Sequence, residues 1–117
     1  MDAAPALADL TEISSQIEAA VVFRRDGSLA GSTLPDETRA EQLAHGAKEL
    51  LDAAESVRGG GATLTQLEAA TPDGSVFVVR DGDTCVAATT GTQPTVGLVF
   101  YDLKSCLRSV TATADAS

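Results

Sequence analysis

The stretch Arg24-Arg-Asp-Gly-Ser-Leu-Ala-Gly-Ser-Thr-Leu-Pro-Asp-Glu37 decides how the chain is read. It is either a glycine-spaced phosphate cradle before a helix or a tight turn between two strands. A P-loop needs four residues between its glycines, a following Lys for the terminal phosphates and a Ser or Thr for magnesium. Gly27 and Gly31 have three residues between them, and no Lys follows. The flanking runs, Ala19 to Arg25 and Ser28 to Thr33, are short and rich in β-branched or small residues, and Asp26-Gly27 between them suits a two-residue hairpin turn. The stretch therefore reads as a β-hairpin.

The helices are placed by working outward. Pro35, Asp36 and Glu37 suit a helix start, where acidic side chains meet unpaired amides and the positive dipole end. That helix runs to about Val57 and stops at Arg58 to Gly61. Upstream, Leu7, Leu10, Ile13 and Ile17 follow a helical stripe that begins near Pro5. Downstream, Thr63 to Ala70, Ser75 to Asp81 and Thr84 to Thr90 read as strands of a meander separated by Pro-Asp-Gly and Asp-Gly-Asp turns. Pro94 opens a last helix, whose apolar face is Val96, Val99, Phe100, Leu103, Cys106, Leu107 and Val110. Gly97 inside it costs about 1 kcal/mol relative to Ala, which points to a close approach of helix to sheet. The order predicts one α+β domain over residues 5–110, a five-stranded and mostly antiparallel sheet covered by three helices, with flexible ends at 1–4 and 111–117.

Composition sets outer bounds. The 117 residues suffice for a single core, and with 44% apolar residues but only three Phe, one Tyr and no Trp that core must be aliphatic and alanine-rich. Seventeen acidic against eight basic residues give a net charge of -9, which repels nucleic-acid backbones and anionic membranes. The acidic opening residues and the lack of an apolar run near the roughly 20 residues of a membrane span lead us to expect a cytoplasmic protein with no integral membrane segment. Cys85 and Cys106 lack close Cys or His companions and read as two buried thiols.

The ordered set of elements, the hairpin Val-Val-Phe-Arg-Arg-Asp-Gly-Ser-Leu-Ala-Gly-Ser, the strand Gly-Asp-Thr-Cys-Val-Ala-Ala-Thr-Thr and the segment Gly-Thr-Gln-Pro-Thr-Val-Gly-Leu-Val-Phe-Tyr-Asp-Leu-Lys-Ser-Cys-Leu resemble the Roadblock/dynein light-chain family. The resemblance is strongest to its bacterial MglB-like members and spans roughly Leu7 to Val110. It implies a profilin-like or longin-like sandwich that dimerises through its third strands and second helices. It also implies a small Ras-like GTPase as partner, in the setting of a sensor kinase system. Two features of the residues agree with a homodimer. The third strand contains neither Lys nor Pro, the usual protections of a sheet edge. The second helix carries the stripe Leu43, Ala47, Leu50 and Ala54, which Ala40, Ala44 and Leu51 widen to one side. The expected dimer interface is thus Ala40, Ala44, Leu51, Thr63, Thr65 and Leu67, although a helix sunk deeply in its own core would show the same width.

Enzyme constellations are scarce. His45, the single histidine, projects from the polar side of the second helix with Glu41, Lys48, Glu49 and Asp52. These five residues are the expected partner-binding surface. Asp81 and Asp83 flank a turn glycine, where short carboxylates serve backbone bonding, and only weakly suggest a metal. Arg24, Arg25, Arg39 and Arg58 could reach a transferred phosphate as an arginine finger. The MglB-like resemblance implies no such finger, so we read them as surface charges. The expectation is a non-enzymatic homodimeric adaptor, without cofactor or metal, that modulates a small Ras-like GTPase. A small-molecule sensory domain and a scaffold without effect on nucleotide turnover remain the alternatives.

Overall fold

A computed structural model describes residues 2–58 and 66–116. Its elements run α1 (Ala3–Ile13), β1 (Ile17–Arg24), β2 (Leu29–Ser32), α2 (Glu37–Val57), β3 (Gln66–Thr71), β4 (Gly74–Asp81), β5 (Thr84–Thr90) and α3 (Val96–Ala116). The strands form one fully antiparallel sheet in the order β2-β1-β5-β4-β3.

Because successive strand residues point to opposite faces, the sheet divides its apolar side chains between two cores. Ala20, Val22, Phe77, Val79, Val86 and Ala88 meet α1 and α3, where Phe77 and Phe100 form an edge-on ring pair 5.0 Å apart. Val21, Phe23, Val78, Cys85 and Ala87 meet α2 on the other face. Among the described residues the result is a three-layer sandwich, with α1 and α3 on one side of the sheet and α2 on the other.

The expected hairpin joins β1 to β2, but its loop has three residues rather than two. The Arg24 amide donates to Ser28 O and the Gly27 amide to Arg24 O, both at 2.8 Å. Gly27 takes φ +95°, the left-handed residue that such loops require. Asp26 fastens the loop by accepting from the Ser28 amide at 2.9 Å and from its hydroxyl at 2.7 Å. The start of α2 is as expected, with Asp36 as the N-cap accepting from the Thr38 amide at 2.9 Å.

Four details differ from expectation. α1 begins at Ala3, inside the segment expected to be a flexible end, and stops at Ile13. Ile17 instead starts β1 opposite Thr90, because a helical i+4 position and a strand's first residue can both face the same core. α3 continues through Ala116 into the expected tail, since adding residues to an existing helix is far easier than nucleating one. Gly97 is not a point of close approach: it lies exposed in the first turn of α3, with open space where a Cβ would stand. Gly31 holds that role, for a Cβ there would sit 2.8 Å from the Ala3 Cβ of α1.

Candidate docking site on helix α2

α2 packs on the sheet through Ala40, Ala44, Ala47 and Leu51, all at most 3% exposed. Helical spacing in the sequence predicts a stripe of Leu43, Ala47, Leu50 and Ala54, and the buried centre lies about 60° further round at 100° per residue. Of that stripe only Ala47 is buried, while Leu43, Leu50 and Ala54 are half-buried at the flank. The small alanines let the helix sit close on the sheet, and the bulkier leucines wedge beside the contact. Ala40, Ala44 and Leu51, expected at a dimer interface, are therefore spent on the chain's own core and offer no surface to a second copy. Leu67 is half-buried on β3 and packs on the edge of the same core with Leu43 and Val76. Thr63 and Thr65 lie outside the described residues.

The five residues expected to bind a partner do share one face. Glu41, His45, Lys48, Glu49 and Asp52 fall within an arc of about 100°. Glu41, His45, Glu49 and Asp52 are exposed and Lys48 is half-buried. Lys48 is also the most restrained, because its Nζ donates to Asp52 at 2.7 Å and its stem lies over Gly27 of the β1–β2 loop. The hydrogen bond from Lys48 to Asp52, helped by that carboxylate's charge, raises the lysine above its ordinary pKa. An exposed pair of this kind adds little stability. It does hold a cation and an anion in a defined place.

Beside this face lies a charge cluster that the sequence reading missed. Arg80 of β4 is 4% exposed, and its Nη1 lies against Glu55 Oε1 of α2, which is also 3.7 Å from Arg25 Nη2. Charge rather than an aligned hydrogen bond holds Glu55 there, and Arg80 Nη2 has no hydrogen-bond partner among the described residues. A signal was available. Arg80 is in phase with Val76 and Val78, so alternation alone puts it on the α2 face, where a buried guanidinium needs a carboxylate.

Among the described residues the remaining candidates are not gathered into one site. Arg24 pairs with Asp83 at 3.6 Å, while Arg39 and Arg58 are exposed. Asp81 and Asp83 flank Gly82 in the β4–β5 turn, and among the described residues no group of three or more His, Cys, Asp and Glu side chains could hold a metal. Cys85 and Cys106 are buried on opposite faces of the sheet, and burial pushes both thiols up to about 11. No described helix is long and apolar enough to cross a membrane.

Comparison with known proteins bears on the fold. The family model of the Roadblock/LC7 domain matches residues 6–90. No curated protein matches the chain in sequence. Among solved structures, it is similar to a Roadblock/LC7 domain from Streptomyces avermitilis, at 22% identity and a TM-score of 0.80 over 92% of each chain. It is also similar to the gliding protein MglB from Thermus thermophilus, at 14% identity and a TM-score of 0.72, over 98% of this chain and 90% of that one. Acanthamoeba castellanii profilin II is more distant, at 11% identity and a TM-score of 0.52, over 85% of this chain and 88% of that one. These likenesses establish a profilin-like sandwich with the order α-β-β-α-β-β-β-α.

Proposed function

The chain belongs to the Roadblock/LC7 domain family, and from that premise we propose that it is a non-enzymatic homodimeric adaptor that docks a small Ras-like GTPase on α2 and biases its nucleotide state. The observation that carries the reading is that α2 is the one described helix on its sheet face, its outward arc polar and charged, beside a sheet edge, β3, with which no other described strand pairs. Such a partner shifts the GTPase only by its difference in affinity for the two nucleotide states.

The two sheet edges are unequal. β2 has four residues, a register shift in its pairing with β1, and the N-terminal end of α1 packed against Gly31. β3 pairs with β4 without a register shift over Gln66–Thr71 and carries neither Lys nor Pro. Pairing β3 with its copy would satisfy that edge and bring two α2 helices into one surface, an isologous arrangement. The half-buried Leu43, Leu67 and Val76 supply an apolar margin beside it.

The test is capture of host proteins on the immobilised chain with a non-hydrolysable GTP analogue or with GDP, followed by mass spectrometry. The expected result is a Ras-like GTPase retained in one nucleotide state and lost when Lys48→Glu and Asp52→Lys are combined. Equal retention in both states would favour a scaffold, and no GTPase in either would overturn the reading. Proteins of a sensor kinase system in the same eluate would place the adaptor in that setting.

A further inference from the structure

On the sheet face opposite α2, helices α1 and α3 pack together and leave a groove of about 310 Å³ between them. Its floor is Ala6, Leu10 and Cys106, and its acidic lining is Asp9 and Glu12 of α1 with Asp102 of α3. Asp102 is the unusual member. It is only 6% exposed, and among the described residues no hydrogen bond or ion pair reaches its carboxylate. Arg108, further along α3, bonds to Ser105 Oγ at 3.3 Å instead, and with Lys104 lines a separate hollow beside Asp81.

The Asp102 carboxylate lines the groove, and no cation among the described residues pairs with it, so it is free to meet a cation from outside the chain. Among the described residues the acidic groups are not arranged to hold a metal. The volume lies at the small end of the range for ligand sites, about 300–1,000 Å³, which suits one or two extended side chains. Arginine fits both halves of the groove: its methylenes can lie on the apolar floor while its planar fork meets a carboxylate. Asp9 and Glu12, one helical turn apart, form a second acidic station at the groove's mouth, and Ile13, 63% exposed, adds an apolar rim.

We propose that the α1–α3 groove docks a short basic segment of a protein partner, one arginine of which sets its guanidinium on Asp102. The site is independent of the GTPase reading, since it lies across the sheet from α2. α3, which supplies Asp102, also lies beyond the residues matched by the family model.

The experiment titrates the isotope-labelled full chain with a blocked tetra-arginine peptide at about 150 mM salt, where long-range attraction is screened, and follows amide shifts by NMR. Saturable shifts should centre on Asp9, Ile13, Asp102 and Ser105. Asp102→Asn should weaken binding about tenfold or more, because truncating one partner of a buried charge pair is costly. Glu12→Gln should produce a smaller loss, and Asp73→Asn, the same charge change in the β3–β4 turn, should leave affinity within about twofold. Tetra-lysine should bind more weakly than tetra-arginine. Four outcomes would overturn the proposal: affinity unchanged in Asp102→Asn with its fold intact, an equal loss in Asp73→Asn, equal binding of both peptides, or shifts centred on α2. Concentration-dependent shifts at the groove without peptide would assign it to a second copy and overturn it as well.

Discussion

Glu55 is the residue on which the α2 face of the core depends most for charge balance. Neutralising it as Glu55→Gln leaves the Arg80 guanidinium buried without its counter-charge. Breaking such a pair costs about 3–5 kcal/mol when both members are fully buried, and because Glu55 keeps 21% side-chain exposure we expect about 2–3 kcal/mol in urea denaturation. The double replacement Arg80→Met with Glu55→Leu should recover most of that loss. The two thiols predict a different response. Their folded pKa of about 11 exceeds the ordinary 9.0, so their contribution is fully present below pH 9 and is lost as pH rises through 11. Unfolding free energy should fall over that window, and Cys85→Ala should lessen the slope. At neutral pH both thiols should resist a disulfide reagent until denaturant is added.

At the scale of elements, two glycines in similar-looking settings should behave oppositely. Gly31→Ala forces a Cβ against Ala3 and separates α1 from β2, an overpacking that costs about 1–3 kcal/mol. Gly97→Ala meets open space in a helical turn and should stabilise by about 0.5–1 kcal/mol. Thermal melts of the two variants against the parent check both signs. The β3 edge makes its own prediction. Gln66→Lys with Ala70→Lys puts two cations on exposed positions of that strand, a common natural protection against edge pairing. If the dimer forms through β3, light scattering should show the variant at the single-chain mass of 11.9 kDa while the parent runs at twice that value.

For the whole molecule, the sheet separates two surfaces of different chemistry. α2 offers a mixed charged arc, and α1 with α3 offer an acidic groove. Sites on opposite sides of a rigid layer and sharing no side chain should act additively. Combining Lys48→Glu with Asp52→Lys should therefore leave tetra-arginine affinity within about twofold, since distant sites couple by only about 0.3–0.5 kcal/mol. A larger change would mean that the two surfaces communicate through the sheet.

Much of this architecture is written locally. The Asp26-Gly27 turn, the Asp36 cap, the three meander strands and the apolar face of α3 from Val99 to Val110 each follow from residues close together in the chain, so the element order and the antiparallel sheet were legible by themselves, whereas Val96, expected on that face, is exposed. The five polar residues of α2 were likewise placed on one face by helical spacing alone. Tertiary structure decided the rest. Periodicity shows that a stripe exists on α2, but only contact with the sheet chose Ala40, Ala44, Ala47 and Leu51 over the larger flanking leucines. Asp102 looked like one polar residue among others until α1, from the opposite end of the sequence, closed over it. Local spacing determines which face a side chain occupies; the distant segment packed against that face determines whether it becomes core, ion pair or docking site.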